Sequence, residues 1–225
     1  MLKRIVAAAV VFTLIGSTPA SAQGVRVLVT ALGGWSISEG VKGKDIVAGD
    51  GNTYNQADPT DAGHAGFSVG VAEGHGEYGF LYRRQFSTLQ VAGPTSTTTV
   101  GDMGVDNYHG YLAYYFGDPD RRVHLYVLAG AGVTHFGNVT YTNNAGSQVS
   151  VIGRSEFSAT FGAGVRAWVS DRVALRFGVQ YTPTYITVSQ ADTWCDPYWG
   201  CYLSGNPQYA NQVDVTAGVT FRFGK

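Results

Sequence analysis

The sequence predicts an all-β fold: an eight-stranded antiparallel up-and-down transmembrane β-barrel. Three observations predict it. The first is a period of two through Phe157 to Pro183, FSATFGAGVRAWVSDRVALRFGVQYTP, broken only at Ser170-Asp171-Arg172. Phe157, Ala159, Phe161, Ala163, Val165, Ala167 and Val169 share one parity, which Val173, Leu175, Phe177, Val179 and Tyr181 resume after the break. The opposite parity carries Arg166, Arg172, Arg176 and Gln180 among Ser, Thr and Gly. Alternation of this kind means strands, and the short break makes a hairpin. The second observation is that long and short connections alternate along the whole chain. The third is an export leader followed by no apolar run long enough for a membrane helix. Any insertion of the exported chain must therefore use strands, with the apolar parity toward lipid and the polar parity filling the lumen.

The leader reads MLKRIVAAAVVFTLIGSTPASAQ. Lys3 and Arg4 precede an apolar core from Ile5 to Gly16, and Ala20-Ser21-Ala22 is a small-x-small cleavage site before Gln23. Residues 1–22 therefore read as a cleaved signal peptide, cut between Ala22 and Gln23, and 23–225 as one barrel domain. The apolar core is short of the roughly 20 residues a spanning helix needs. Removing 22 of 225 residues leaves 203, and losing Lys3 and Arg4 leaves 13 basic against 16 acidic side chains, a net charge of −3. Such a balance gives no basic face for nucleic acid.

The first strand is expected over Gly24 to Ile37, with Val25, Val27, Val29, Ala31, Trp35 and Ile37 opposite Arg26, Leu28, Thr30 and Ser36. Ser38 to Ala65 reads as a long polar loop. A short second strand, Gly66 to Ala72, turns at Gly74-His75-Gly76 into a third, Glu77 to about Thr88, with Tyr78, Phe80 and Tyr82 in phase. Arg83 and Arg84 are adjacent there, so either one faces outward or a bulge intervenes. Leu89 to Gly104 reads as a Thr/Gly/Pro loop. The fourth strand, Val105 to Phe116, carries Tyr108, Leu112, Tyr114 and Phe116 on one face and ends at Gly117-Asp118-Pro119-Asp120, a turn sequence. The fifth runs Arg122 to Phe136, and Gly137 to Arg154 reads as a loop. Strands six and seven are the hairpin above. Thr184 to Gln208 is a long loop holding both cysteines, and Tyr209 to Phe223 is the eighth strand. Long connections follow the odd strands and tight turns the even ones. Membrane barrels show this pattern, with the turns and both termini on one side.

On GYLAYYFGDPDRRVHLYVLAGAGV (Gly110 to Val133), FGAGVRAWVSDRVALRFGVQY (Phe161 to Tyr181) and VDVTAGVTFRF (Val213 to Phe223), the chain resembles the small eight-stranded outer-membrane barrels, of which the OmpA-type transmembrane domain is the best known. The resemblance spans essentially 24–223. It implies residence in the bacterial outer membrane, contact with outer-membrane lipid and lipopolysaccharide, and delivery by the outer-membrane assembly machinery. Phe221 and Phe223 would be the C-terminal assembly signal, although that family usually ends on the aromatic and here Gly224 and Lys225 follow. A secreted lipocalin-like barrel, with its apolar face inside around a ligand, is the competing fold. The loop alternation and aromatic outer face favour the membrane barrel. The chain ends at the eighth strand, so no periplasmic peptidoglycan-binding domain is expected.

The lumen parity offers Glu77, His109, His124, Glu156, Arg166, Arg176, Gln180, Asp214 and Arg222, with Arg166 and Arg176 near-opposite on adjoining strands. An eight-stranded barrel has room inside for side chains only, so these residues are expected to form a polar plug rather than a gated conduit. The five histidines have no metal-site spacing, and Asp50-Gly51-Asn52 lacks the calcium-loop ligand pattern, so no metal or cofactor is expected. At the rim, Ser155, His135 and Asp106 qualify on parity as lipid-facing, with Asp106 projected diagonally below His135. They could be imagined in Ser-His-Asp roles, but no local signature of the outer-membrane lipid A deacylases accompanies them, and rim polarity against headgroups or water is the favoured reading. Cys195 and Cys201 in TWCDPYWGCYL are expected to form a disulfide, as two cysteines in an exported chain do. The aromatic residues around them suggest either a recognition surface or a lid. The expected function is non-enzymatic, structural or interaction-based at the cell surface, with no extracellular partner named by the sequence. Transport of small apolar molecules through a lateral opening, as in OmpW-like barrels, is the alternative, which the Arg-rich lumen parity argues against, and a lipid-modifying enzyme is a lesser one.

Overall fold

Eight long strands close on themselves in a ring. The computed structural model describes residues 26–47, 53–93, 97–118, 121–142, 148–151, 153–186, 194–196, 200–202 and 208–224. Its elements are β1 Arg26–Glu39, β2 Val41–Val47, β3 Thr53–Pro59, β4 Ala62–Glu73, β5 Gly76–Ala92, β6 Thr97–Phe116, β7 Val123–Phe136, β8 Val139–Thr142, β9 Gln148–Val151, β10 Arg154–Trp168, β11 Val173–Ile186, β12 Trp194–Asp196, β13 Gly200–Tyr202 and β14 Gln208–Phe223. Going round the ring, the order is β1, β4, β5, β6, β7, β10, β11, β14 and back to β1, every pair antiparallel. The seam is long, from Val27↔Phe223 to Glu39↔Asn211, so these strands leave no open edge along the barrel wall. At one end the connections are tight. Gly74 sits at φ 57 and Gly117 at φ 94, a left-handed backbone that glycine adopts freely. In the third turn the Ser170 hydroxyl accepts from the Val173 amide at 3.1 Å.

The two faces separate by chemistry. Outward lie Phe67, Phe80, Leu112, Leu125, Phe161, Phe177, Val179 and Val215, with Leu112 exposed to 68% and Val179 to 51%. An apolar belt continuous round the wall has no place on a water-soluble monomer. On β14 it runs from Phe221 up to Asn211, where the outward side turns polar. About ten residues at ~3.4 Å, tilted about 40°, give a belt ~26 Å tall, close to the height of a transmembrane barrel's band. Inward, the lower lumen packs Leu81, Tyr111, Ala113, Tyr115, Tyr126 and Leu128. The Tyr126 ring needs glycine beside it. A Cβ on Gly164 would lie 2.6 Å from its hydroxyl, and one on Gly178 2.5 Å.

Three of the expected loops carry paired strands, and a fourth carries a short hairpin. Residues 38–65 hold the β2–β3 hairpin, with β3 pairing onto the top of β5 from Gln56↔Ala92 to Pro59↔Leu89. The stretch expected as a 89–104 loop is β5 and β6 continuing past the belt, with a register shift between Leu89 and Gln90. Thr97, Thr98 and Thr99 look polar as a run, yet they and Val100 are β-branched and pair readily as strand. β8 pairs with β9, and β12 with β13. Outside the belt no lipid demands an apolar face, so the alternation that marks a spanning strand fades while backbone pairing persists. These extensions enclose an apolar cluster of Leu89, Met103, Val105 and Val139, with Ala57, Val100 and Phe136 against it.

The arginine pair on β5 resolves without a bulge. Arg83 is fully buried in the lumen and Arg84 faces out, its guanidinium 3.5 Å from Asp106.

Candidate functional site

The lumen holds two polar layers. In the lower one, Glu77 on β5 accepts from the hydroxyls of Tyr111 and Tyr115, the latter at 2.6 Å, and from Arg166 Nη2 on β10 at 2.7 Å. Arg166 is stacked 4.4 Å above the Tyr115 ring. Arg176 lies opposite Arg166 in register, 4.5 Å above the Tyr126 ring, and donates its Nε to the Tyr126 hydroxyl at 3.0 Å. The carboxylate engages the Arg166 guanidinium directly, and an aromatic face holds each of the two arginines.

In the upper layer, Arg83 on β5 meets Asp214 of β14 at 2.6 Å. It also donates to Gln180 Oε1 on β11 at 2.7 Å and to Thr182 Oγ1 at 3.3 Å. Asn107 on β6 donates to Gln212 on β14 at 3.1 Å. Thr134 donates to Asn107 at 2.7 Å, and His109 bonds Ser158 at 2.8 Å. In the ring, β11 is four places from β5, and β14 four places from β6. Those are opposite walls of an eight-strand barrel, so the Arg83–Gln180 and Asn107–Gln212 bonds cross its full diameter.

Of the lumen residues expected from sequence, Glu77, His109, His124, Glu156, Arg166, Arg176, Gln180 and Asp214 are buried. Glu156 pairs with Arg154. His124 meets the Tyr115 ring edge-on with centroids 6.4 Å apart. Arg222 is half-buried at the turn end, 4.5 Å over the Trp168 ring. Phe221 and Phe223 face outward at the same end. Cys195 and Cys201 stand directly across from each other in the β12–β13 backbone register. Ala22, Gln23 and Asp50-Gly51-Asn52 lie outside the described residues, and no group of three or more His, Cys, Asp or Glu among the described residues could hold a metal.

Arg83, Gln85, Asn107, Ser36 and His64 also lie buried in the lumen, beyond the residues the lumen parity singles out. Arg83 was within reach, because it shares parity with Glu77. His64 was not, because it fell in a stretch expected to be a loop. Ser36, His64 and Asp214 bring the three groups of a hydrolytic triad together. Their order is wrong for one. The Ser36 hydroxyl stands between the other two, 2.9 Å from His64 Nδ1 and hydrogen-bonded to Asp214, whereas a triad needs the imidazole in the middle. All three are buried, so they serve as part of the plug.

At the rim, His135 Nδ1 and the Ser155 hydroxyl are 2.9 Å apart. Asp106 departs from expectation once. It lies directly opposite His135 in register, not diagonally below. It keeps the outward parity, on the same side of the wall as Arg84 and Tyr82, and is buried beneath them. Its carboxylate accepts from Tyr82 at 2.8 Å and faces Arg84, on the β5 side. Together with the Tyr181 hydroxyl donating to Asn211 at 2.8 Å, these groups form a polar collar above the apolar belt.

No protein-family model matches the sequence, and no curated protein matches it either. Solved structures do resemble it. The outer membrane protein OprG from Pseudomonas aeruginosa superimposes with a TM-score of 0.61 at 15% identity, covering 90% of this chain and 97% of OprG. Neisserial surface protein A superimposes with a TM-score of 0.51 at 15% identity, covering 89% of this chain and 98% of its own. At such identities the likeness concerns the fold, which is that of the small eight-stranded outer-membrane barrels.

Proposed function

We propose that this small eight-stranded outer-membrane barrel is a non-enzymatic protein of the bacterial outer membrane that presents a β-structured surface outside the cell on a lumen closed by side chains. The observation that carries the proposal is the pair of hydrogen bonds crossing the lumen from wall to wall, Arg83 to Gln180 and Asn107 to Gln212. A barrel bridged in this way offers no continuous axial path, which tells against transport of small apolar molecules along it. The turns and termini face the periplasm, as in barrels of this type, and the long connections face outward. There the β2–β3 hairpin and the raised ends of β5 and β6 form a wall with its own apolar cluster, a rigid platform suited to contact with another surface. The apolar belt contacts outer-membrane lipid, and the collar of Arg84, His135 and Ser155 lies at headgroup level, where it meets lipopolysaccharide. Residues 1–22 are removed on export, and Phe221 and Phe223 serve delivery by the assembly machinery.

Single cysteines at Gln56, Thr98 and Glu73, placed in a Cys195→Ser/Cys201→Ser background, test the orientation. In intact cells a membrane-impermeant maleimide should label the first two and not the third. Labelling at Glu73 alone would reverse the barrel and remove the surface role. Mass spectrometry of vesicle lipids incubated with the refolded protein should show no hydrolysis, and release of fatty acid would instead assign the Ser155–His135 pair a catalytic role.

A further inference from the structure

The turn end of the lumen opens into a cavity of about 310 Å³ whose walls carry Arg26, Arg121, Arg122, Arg166 and Arg222 against one carboxylate among the described residues, Asp171. His75 and His124 complete its ionisable lining. The arginines come from four separate places in the ring: the start of β1, the turn before β7, the end of β10 and the end of β14. The fold therefore gathers them, and no single basic run in the sequence does. Backbone bonds fix the wall, with the Trp168 amide donating to Arg122 O at 2.7 Å and the Arg222 amide to Arg172 O at 2.8 Å.

Among the described residues no ion pair engages Arg26, Arg121, Arg122 or Arg222. The Arg222 guanidinium lies 4.5 Å over the Trp168 ring. Stacking uses the flat face of a guanidinium and leaves its N–H edge for an acceptor. Arg166 is buried, gives one nitrogen to Glu77, and keeps a buried Nε without a partner. A buried charged donor left open is costly unless a ligand or solvent completes it.

We infer that this periplasmic mouth is a binding site for a small multivalent anion bearing phosphoryl groups. The chemistry follows from the lining. Guanidinium forks match phosphate oxygens two at a time, and several arginines facing one carboxylate require more than a single negative charge for balance. The volume is at the small end of ligand pockets. Two sources carry this chemistry: a soluble phosphorylated molecule of the periplasm, or the headgroup of an anionic phospholipid from the adjoining leaflet. The sequence places Asp118 and Asp120 beside Arg121 and Arg122, so Arg26 and Arg222 are the residues to vary first.

The protein refolded into zwitterionic nanodiscs is titrated with sodium pyrophosphate by calorimetry at constant ionic strength. Saturable one-to-one binding is expected that chloride does not reproduce. Arg26→Gln with Arg222→Gln should weaken it roughly ten-fold or more, on the scale of one charge-assisted contact per residue. Arg84→Gln, at the opposite end, should leave it unchanged. If the double variant fails to refold, Arg121→Gln with Arg122→Gln on the exposed turn is the second test, with the same direction expected. Repeating the titration with phosphatidylglycerol in the nanodisc separates the sources. Competition that is lost in the double variant identifies the headgroup, and binding indifferent to the lipid identifies the soluble anion. Absence of saturable binding, or equal affinity in the wild type and both double variants, overturns the site.

Discussion

Replacing Asp214 with Asn removes one charge from the centre of the lumen and changes little else. Asp214 and Arg83 are both fully buried, and their charged groups are 2.6 Å apart. After the substitution Arg83 keeps its bonds to Gln180 and Thr182 but has no counter-charge within contact. Breaking a buried pair by removing one partner costs about 3–5 kcal/mol, because the survivor stays desolvated. The retained neutral bonds place the expected loss at the lower end, about 3 kcal/mol, or roughly a hundred-fold in the folding equilibrium. Arg83→Met with Asp214→Asn removes both charges and should cost about 1–2 kcal/mol, less than Asp214→Asn alone. Reversible urea unfolding in lipid vesicles, followed by tryptophan fluorescence and by the gel shift between unheated and heated samples, measures the wild type, both single variants (Asp214→Asn and Arg83→Met) and the double variant. A loss under about 0.5 kcal/mol for Asp214→Asn, or a double variant as unstable as the sum of the singles, would refute the reasoning that this pair is desolvated and coupled.

Val179→Arg puts a charge on the lipid face of β11 and should cost about 2–4 kcal/mol in the same titration if it lies near the midplane, while Val179→Leu should be near neutral; equal costs would reject the assigned facing. Gly178→Val should abolish refolding or displace the Tyr126 ring, since even a Cβ there lies 2.5 Å from its hydroxyl, and restoration by Tyr126→Phe would tie the defect to that contact. Cys195 and Cys201, opposite each other in their hairpin, should be oxidised in the exported protein, and their reduction should raise protease cleavage between Asp192 and Leu203 while the barrel's circular dichroism and melting stay unchanged. Loss of refolding in Cys195→Ser/Cys201→Ser would instead make that hairpin part of the barrel.

The barrel was legible because lipid imposes a period of two on every spanning strand. Val173 to Tyr181 announces its facing residue by residue, and the tight turns at Gly74 and Gly117 announce where strands reverse. The raised strands were not legible, because Thr97 to Val100 and Thr53 to Pro59 lie beyond the lipid and keep no apolar parity. Part of the plug followed from parity: Glu77, Arg166, Arg176 and Asp214 sit on the inward side once the outward side is known. Which of them pair was hidden, since Arg83 reaches Asp214 and Gln180 across the barrel at a sequence distance no local pattern encodes. The cationic mouth was hidden for the same reason, its arginines being scattered from Arg26 to Arg222.

Single-channel recording in planar bilayers tests the closed lumen most directly. With side chains bonded from wall to wall, the wild-type protein should give no steady ohmic conductance, and Arg83→Ala with Asn107→Ala, which removes both diametral bridges, should introduce discrete openings. A stable wild-type conductance that the double variant leaves unaltered would contradict the account.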